Sequence, residues 1–324
     1  MVEMLQILKQ VSIKIYLGSE GAAEALRAGA VGVLTQGHKF MDATSFPLPG
    51  CYLQSNDAAN IHKYIHSTRT PTATIYKTTE FKDNLAPMVA SFSSRGPNNA
   101  TLEILKPDLI APGVNIIASW SPISPISHTS GENRKLEFNI VSGTSMSCPH
   151  VTAKQISPDN HAEFAYGAGQ IDPIKALNPG LVYEANEVDY IRFLCGQDFN
   201  ALTLQLITGD KIICSEIAYT TARDLNYPSF ALKAPHPNHY ISGSFRRTVT
   251  NVGSPNSTYI AILIVSKGLN ISVNPDVLYF TSLGEKQTYV LTINGKIKKS
   301  IESASLIWDD GKFQKKEMVL LYIT

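Results

Sequence analysis

The sequence lacks any run of apolar residues long enough to cross a bilayer, for which an α-helix needs about 20 residues. It also lacks an excess of charge of either sign, because 28 Lys and Arg and 27 Asp and Glu leave a net charge of +1. This near-neutrality gives no electrostatic reason to expect nucleic acid or a membrane as partner. An apolar fraction of 44% is typical of a globular protein. At roughly 150 residues per domain, the chain predicts two or three domains.

Cysteine is scarce as well, with four residues and no Cys-x-x-Cys pair, so we do not expect zinc. No carboxylate cluster has the spacing of a calcium loop, and we infer no cofactor. Cys195 and Cys214 flank one loop-like stretch and could form a disulfide, although two free buried thiols are an equally good interpretation. The other two cysteines are Cys51 and Cys148.

The first 17 residues do not have the pattern of a signal peptide, because Glu3, Lys9 and Lys14 interrupt the apolar residues. Either the chain is not exported by itself or its true start is missing. Acceptor triplets for N-glycosylation, which lean mildly towards secretion, begin at Asn99, Asn256 and Asn270.

Residues 1–85 alternate helix and strand patterns. We expect a short helix over Gly21 to Ala28 and a buried strand over Ala30 to Leu34. A second helix is predicted over Asn56 to Ser67, with its first residue as a good N-cap. Pro71 to Lys77 reads as a strand.

Residues 86 to about 180 combine turn signals with short apolar runs, and Phe138 to His150 predicts a strand that passes through glycine into a helix start. From Arg223 onwards the pattern becomes all-β, which favours a β-sandwich. The alternating runs are Phe245 to Val249, Tyr259 to Val265, Ile271 to Val273, Gln287 to Ile293, Ala304 to Trp308 and Met318 to Ile323.

The strongest chemical signal is the string Gly143-Thr144-Ser145-Met146. A nucleophilic serine must be exposed on a tight turn, with backbone N–H groups close enough to receive the developing oxyanion. A strand that ends in glycine and opens into a helix can supply both features. Taken alone, this short string fits a serine that merely caps a helix better than it fits a nucleophile.

Longer strings favour the nucleophile. Ser142 to Thr152 (SGTSMSCPHVT) resembles the nucleophile motif of the subtilases. The chain also resembles the plant cucumisin-like branch of that family, in order along most of its length. The matching strings are SFPLPG, PTATIYKT, SFSSRGPN, LKPDLIAPGV, FAYGAGQIDPIKALNPGLV, DYIRFLC, DLNYPSF and TVTNVG.

This resemblance implies a multidomain protein with three parts. Residues 1–85 would be a partial protease-associated domain, and residues 86–221 the C-terminal part of an incomplete α/β subtilisin-like domain with a parallel sheet and an internal deletion. Residues 222–324 would be a C-terminal all-β fibronectin type III-like sandwich, which we expect to fold and melt cooperatively alone. The resemblance also implies an extracellular (apoplastic) location and an action on protein or peptide substrates.

The resemblance also assigns roles at the motif. Ser145 lies at the position of the family's catalytic serine, and its own N–H would be one oxyanion donor. His150 would be structural, and a five-residue helical step of roughly 140° and 7.5 Å also points it away from Ser145. It is therefore a poor candidate for the base.

The family's other catalytic strings are missing, because no Asp-Thr-Gly, Asp-Ser-Gly or His-Gly sequence occurs. The catalytic Asp, His and oxyanion Asn thus have no counterpart. The remaining histidines are interpreted as surface residues: His38, His62, His66, His128, His161, His236 and His239. After Thr152, Lys154 and Gln155 stand where apolar residues are expected and Ser157-Pro158-Asp159 stops any helix, which leaves about two turns.

Three hypotheses follow. The chain could be an incomplete record of an active serine endopeptidase, itself catalytically inactive. It could be a non-catalytic binding fragment built on the protease-associated and fibronectin-like modules. It could also be a product with no stable function.

Overall fold

The computed structural model describes residues 15–17, 20–36, 45–77, 79, 87–127, 132–150, 153–154, 163–217, 220–266 and 268–323. These residues divide into two compact units. The first comprises Met1–Phe92 and Pro112–Pro149, and the second comprises Ser93–Ala111 and His150–Thr324. The three sequence-based segments stay a prediction, and the two units are described separately below.

The first unit begins with a parallel three-stranded sheet in the order β1 (Ile15–Leu17), β2 (Val33–Gln36) and β3 (Gly50–Leu53). Two helices accompany it, α1 (Glu20–Arg27) and α2 (Ser55–Ser67). Its apolar cluster is small and is built on the buried side chains of Ala22, Ala25, Val33 and Leu48. Alanine at two positions of α1 has no side chain beyond Cβ, so the helix can pack closely.

The rest of the first unit is a two-stranded antiparallel pair, β4 (Ile116–Ser119) and β5 (Phe138–Val141), followed by the short helix α3 (Thr144–Ser147). A 3₁₀ turn over Cys148–His150 continues α3. The predicted order of strand, glycine and helix start is therefore present.

The second unit opens with short elements. They are β6 (Ala153–Lys154), α4 (Glu163–Tyr166), β7 (Gln170–Ile171), α5 (Pro173–Ala176), β8 (Leu181–Tyr183), α6 (Glu187–Cys195) and α7 (Ala201–Thr208). Strands β6 and β7 pair antiparallel. The segment after the motif thus forms a strand pair where the family resemblance implies a long helix. Gln155 and Ser157 to Asp159 lie outside the described residues.

The C-terminal region forms a β-sandwich. Its strands are β9 (Ser229–Ala234), β10 (Tyr240–Asn251), β11 (Ser257–Ile264), β12 (Leu269–Asn274), β13 (Val277–Phe280), β14 (Lys286–Lys296), β15 (Ile301–Asp309) and β16 (Gln314–Ile323). One sheet has the order β12-β14-β10-β8 and the other β13-β11-β15-β16-β9, with β16 and β9 parallel. Phe245, Tyr289, Leu291, Leu306 and Trp308 are fully buried between them.

A second apolar cluster covers the outer face of β9 and β16. Ala231, Leu320 and Tyr322 face outward from those strands and pack with Leu105 and Phe164 from earlier in the chain. Because β9 is buried on both faces, its residues do not alternate between apolar and polar. Period-two alternation in the sequence therefore does not indicate β9.

Three local predictions need correction. Pro71 to Lys77 is not a strand: its residues are mostly exposed and pair with none of the described strands. Helix α2 begins at Ser55 after Gln54, so Asn56 is not its N-cap, and no side chain caps it. The strands described within 86–221 pair antiparallel, apart from an isolated parallel bridge between Ile110 and Gln170. The parallel sheet of the structure lies instead within residues 15–53.

Candidate functional site

The turn that carries Ser145 is held by backbone contacts to the segment before β4. The Gly143 N–H donates to the Gly113 carbonyl at 2.8 Å. One residue earlier, the Ser142 hydroxyl accepts a hydrogen bond from the Asn115 N–H at 2.9 Å. These bonds extend the β4–β5 pairing past the end of the strands, so the chain reaches Ser145 in a fixed orientation.

Gly113 is a further residue of this site, and its place depends on having no side chain. A Cβ at that position would lie 2.0 Å from the Ser147 hydroxyl oxygen and 2.9 Å from the Gly143 carbonyl oxygen. Real Cβ atoms do not approach other atoms so closely, so a larger residue would push α3 away. In the sequence, Gly113 is only a break in an apolar run. The residues that it contacts, Gly143 and Ser147, lie about 30 residues later, so no local sequence pattern indicates its role.

Ser145 itself lies in the first turn of α3 and is exposed to solvent. The Met146 N–H donates to the Gly143 carbonyl at 3.1 Å, which closes that turn. The Met146 N–H is thus already paired, whereas Ser145 lies one residue earlier in the first turn, where a backbone N–H has no acceptor within the helix and is able to bind an oxyanion. The geometry suits a nucleophile position.

The described histidines show which imidazoles lie in the same unit as Ser145. Among the described residues of the first unit the imidazoles are those of His62 and His66, and they contact each other on α2. None of the described residues is hydrogen bonded to the Ser145 hydroxyl. His150 is exposed at the end of the 3₁₀ turn. His38, His128 and His161 lie outside the described residues, whereas His236 and His239 precede β10 in the second unit.

The second unit has a cavity of about 730 Å³ between β8, α6 and β10. Its carboxylates have partners already. Glu184 accepts from Lys286 at 2.6 Å and from Thr250 at 3.0 Å, and Asp189 caps the backbone at the start of α6. Saturated carboxylates of this kind indicate a structural role.

Cys195 at the end of α6 forms a disulfide with Cys214, so of the two interpretations of this pair the disulfide is the one in the structure. Cys51 and Cys148 are free and exposed. The asparagines of the three glycosylation triplets are all exposed, as acceptors must be, and their modification stays a prediction: Asn99, Asn256 and Asn270.

Within the described part of the chain, no group of three or more His, Cys, Asp or Glu side chains is placed to hold a metal ion. None of the described helices is long and apolar enough to cross a membrane.

Comparison with known proteins gives two family matches. Residues 23–155 match the subtilase family, and residues 224–320 match the fibronectin type-III domain. These matches agree with the multidomain organisation expected from the sequence.

Similar proteins come from Arabidopsis thaliana. The chain is 42% identical to subtilisin-like protease SBT4.8 over 91% of its own length and 46% of that protein. It is 40% identical to subtilisin-like protease SBT4.7 over 85% of its own length and 43% of that protein. The chain thus spans about half the length of the curated relatives it matches.

Proposed function

Because the chain is a member of the subtilase family, we propose that Ser145 is the nucleophile position of a serine endopeptidase. In the intact protease, this serine would attack the carbonyl carbon of a substrate peptide bond. We further propose that these 324 residues do not hydrolyse peptides by themselves. The nucleophile turn is retained, and the groups that would activate it have no counterpart in the sequence.

The observation that supports the proposal is an exposed Ser145 on a turn fixed by the Gly143–Gly113 hydrogen bond, with no described imidazole bonded to it. A serine hydroxyl is a weak nucleophile until a base takes its proton. Loss of triad members lowers the rate by about 10⁴ to 10⁶, and loss of an oxyanion donor by about 10² to 10³. These losses are not additive, but any one of them suffices to make turnover very slow.

The substrate and location follow from the same premise. Subtilases act on protein or peptide substrates, and we propose the same substrate class for the intact protease. The Cys195–Cys214 disulfide supports an extracellular, apoplastic location, because disulfides persist in oxidising compartments. Exposure of Asn99, Asn256 and Asn270 is consistent with that location.

The test is labelling of the purified chain with a fluorophosphonate probe, which reacts with activated serines. We expect no labelling of the parent chain above that of a Ser145→Ala variant, and no cleavage of a casein substrate. Labelling that depends on Ser145 would overturn the proposed inactivity. It would leave the assignment of the nucleophile standing.

A second candidate is a non-catalytic binding fragment, which the surface of the sandwich favours. Ile260, Ile262 and Ile264 project from one side of β11 and are 55%, 44% and 58% exposed. A stripe of exposed isoleucines is typical of an interaction surface. A chain that is not labelled by the fluorophosphonate probe but unfolds cooperatively on heating would favour this candidate. A chain without a cooperative thermal transition would contradict it.

A further inference from the structure

Two histidines face each other on the exposed side of α2. His62 and His66 are one helical turn apart, a spacing that makes side chains neighbours on a helix. Their Nε2 atoms are 3.2 Å apart, and their ring centroids are 4.3 Å apart at an interplanar angle of 54°. Both rings are exposed to solvent. The two ring nitrogens thus lie side by side on the solvent side of the helix.

This separation matches that of two ligands on one metal ion. Imidazole nitrogens bind transition metals at roughly 2.0–2.1 Å. Two nitrogens at that distance are about 2.9 Å apart when they subtend a right angle at the metal, and about 3.3 Å apart at a tetrahedral angle. The observed 3.2 Å lies between these values. A metal could therefore bind both nitrogens at their present separation, once each ring turns its lone pair towards the ion.

The helix that carries the pair is anchored both before the pair and between its two members. Ala58 is buried one turn before His62. Between the two histidines, the Tyr64 hydroxyl accepts a hydrogen bond from the Thr72 N–H at 3.1 Å, which ties α2 to the segment that follows it. A fixed backbone limits the rotamer freedom that the two rings would lose on binding.

We propose that His62 and His66 form a surface site for a single divalent transition-metal ion. Copper(II) is expected to bind most tightly, ahead of nickel(II) and zinc(II), because imidazole sites follow that order. The described residues supply two ligands, so the other coordination positions are open to water or to a group of a binding partner. This site is independent of the proposed protease function.

A second histidine pair provides an internal control. His236 and His239 are also close, with ring centroids 4.9 Å apart in an edge-to-face arrangement. The His236 Nδ1 atom lies 3.1 Å from the Pro237 carbonyl, which occupies one of its two nitrogens. The pair is three residues apart in a turn and has no Nε2–Nε2 contact of the kind found on α2. It should contribute little to metal binding.

The experiment is a calorimetric titration of the tag-free, metal-free full chain with copper(II), and separately with nickel(II) and zinc(II). We expect one high-affinity copper ion per chain. Single substitutions His62→Gln and His66→Gln should each lower the affinity roughly tenfold or more, since even loss of an outer-shell partner costs 10- to 100-fold. His236→Gln should leave it unchanged. Glutamine keeps the helix propensity high, and circular dichroism would verify that each variant is folded.

A composition-matched variant makes the test independent of histidine number. The double substitution His66→Gln with Ser67→His keeps two histidines on α2 but moves them to a five-residue spacing, which puts them on different faces. We expect it to bind copper(II) as weakly as His66→Gln alone. Binding that survives this change, or that requires His236, would overturn the site. Absence of binding by the parent chain would also overturn it and would leave a simple hydrogen bond between the rings.

Discussion

The hydroxyl of Tyr183 in β8 is hydrogen bonded to the carboxyl of Glu317 in β16, 134 residues later in the chain. The Tyr289 hydroxyl donates to the same carboxyl at 2.5 Å, and the two tyrosine hydroxyls are 2.6 Å apart. Glu317 is completely buried. A buried acid of this kind is tolerable only because its oxygens have partners. Strand β8 therefore supplies one of the two hydroxyl groups that hydrogen bond to the buried Glu317 carboxyl of the sandwich.

The first prediction concerns the pH dependence of stability. Burial raises the pKa of Glu317 to about 7, against the opposing effect of the tyrosine hydroxyls and of the Lys315 and Arg247 charges. The folded protein then holds this proton more tightly than the unfolded chain does. The stabilising contribution is complete below the ordinary glutamate pKa of about 4.3 and is lost as the pH rises towards 7.

We therefore expect the free energy of unfolding to decrease between pH 5 and pH 7 by up to about 1.4 kcal/mol per pH unit from this one group. Urea denaturation at several pH values measures it. Glu317→Gln is the matched control, since its neutral amide has no proton to lose. If the free energy of unfolding changed with pH at the same rate in the parent and in the variant, Glu317 would not titrate in this range.

The second prediction concerns the disulfide. Cys195 and Cys214 are 19 residues apart and join the end of α6 to the short 3₁₀ turn Cys214–Glu216. Closing a loop of this length restricts the unfolded chain and is worth about 3 kcal/mol in the chain-entropy model. The pair Cys195→Ser and Cys214→Ser should lower the melting temperature of the second unit.

The free cysteines supply the control for that measurement. Cys51 and Cys148 are exposed, so Cys51→Ser and Cys148→Ser should leave the melting temperature unchanged. A reducing agent should lower the melting temperature of the parent and of this control double variant equally. If reduction affected neither, the disulfide would not contribute to stability.

The third prediction concerns the turn that presents Ser145. In Gly113→Ala, the new methyl group would overlap the Ser147 hydroxyl and crowd the Gly143 carbonyl. Such overpacking typically costs about 1–3 kcal/mol. We expect faster hydrogen exchange at the Gly143 amide, whose bond to the Gly113 carbonyl would lengthen or break. The neighbouring Val114→Ala is the control, because Val114 is exposed, and exchange at the Gly143 amide of this variant should match that of the parent.

Sequence patterns were most informative where one period dominated. The runs predicted from Phe245 onwards are confirmed as β10, β11, β12, β14, β15 and β16, whereas β13 was not predicted. The Ser145 turn was also predictable, since Gly143 and the preceding apolar strand form a local pattern. Gly113 was not, because its requirement comes from Ser147, which is remote in sequence.

The pair on α2 shows a second kind of limit. His62 and His66 carry no catalytic neighbourhood, and a surface role was the natural interpretation. Their convergence depends on side-chain rotamers, which sequence spacing permits but does not fix. The sequence leaves the disulfide open for a related reason. Two cysteines separated by a loop form a disulfide only if the fold brings their Cα atoms close, and here they are 5.5 Å apart.

The last prediction concerns where the sandwich begins. The sequence places its start at residue 222, yet β8 pairs with β10 through Leu181 to Asn251 and Tyr183 to Val249. Leu181 is fully buried. A fragment of residues 222–324 would lose that burial, worth about 1.5–3 kcal/mol, and would leave Glu317 with one hydroxyl donor fewer.

A fragment of residues 179–324 would keep both contacts, and it retains α6 and the disulfide. We expect both fragments to melt cooperatively, with the shorter one less stable by at least about 2 kcal/mol in urea denaturation. Leu181→Ala and Tyr183→Phe should each lower the stability of the longer fragment by part of that difference. Such losses would assign the difference in stability to β8 rather than to chain length. Equal denaturation midpoints for the two fragments would contradict this role of β8, because a strand that completes a core cannot be removed without exposing the apolar surface it covers.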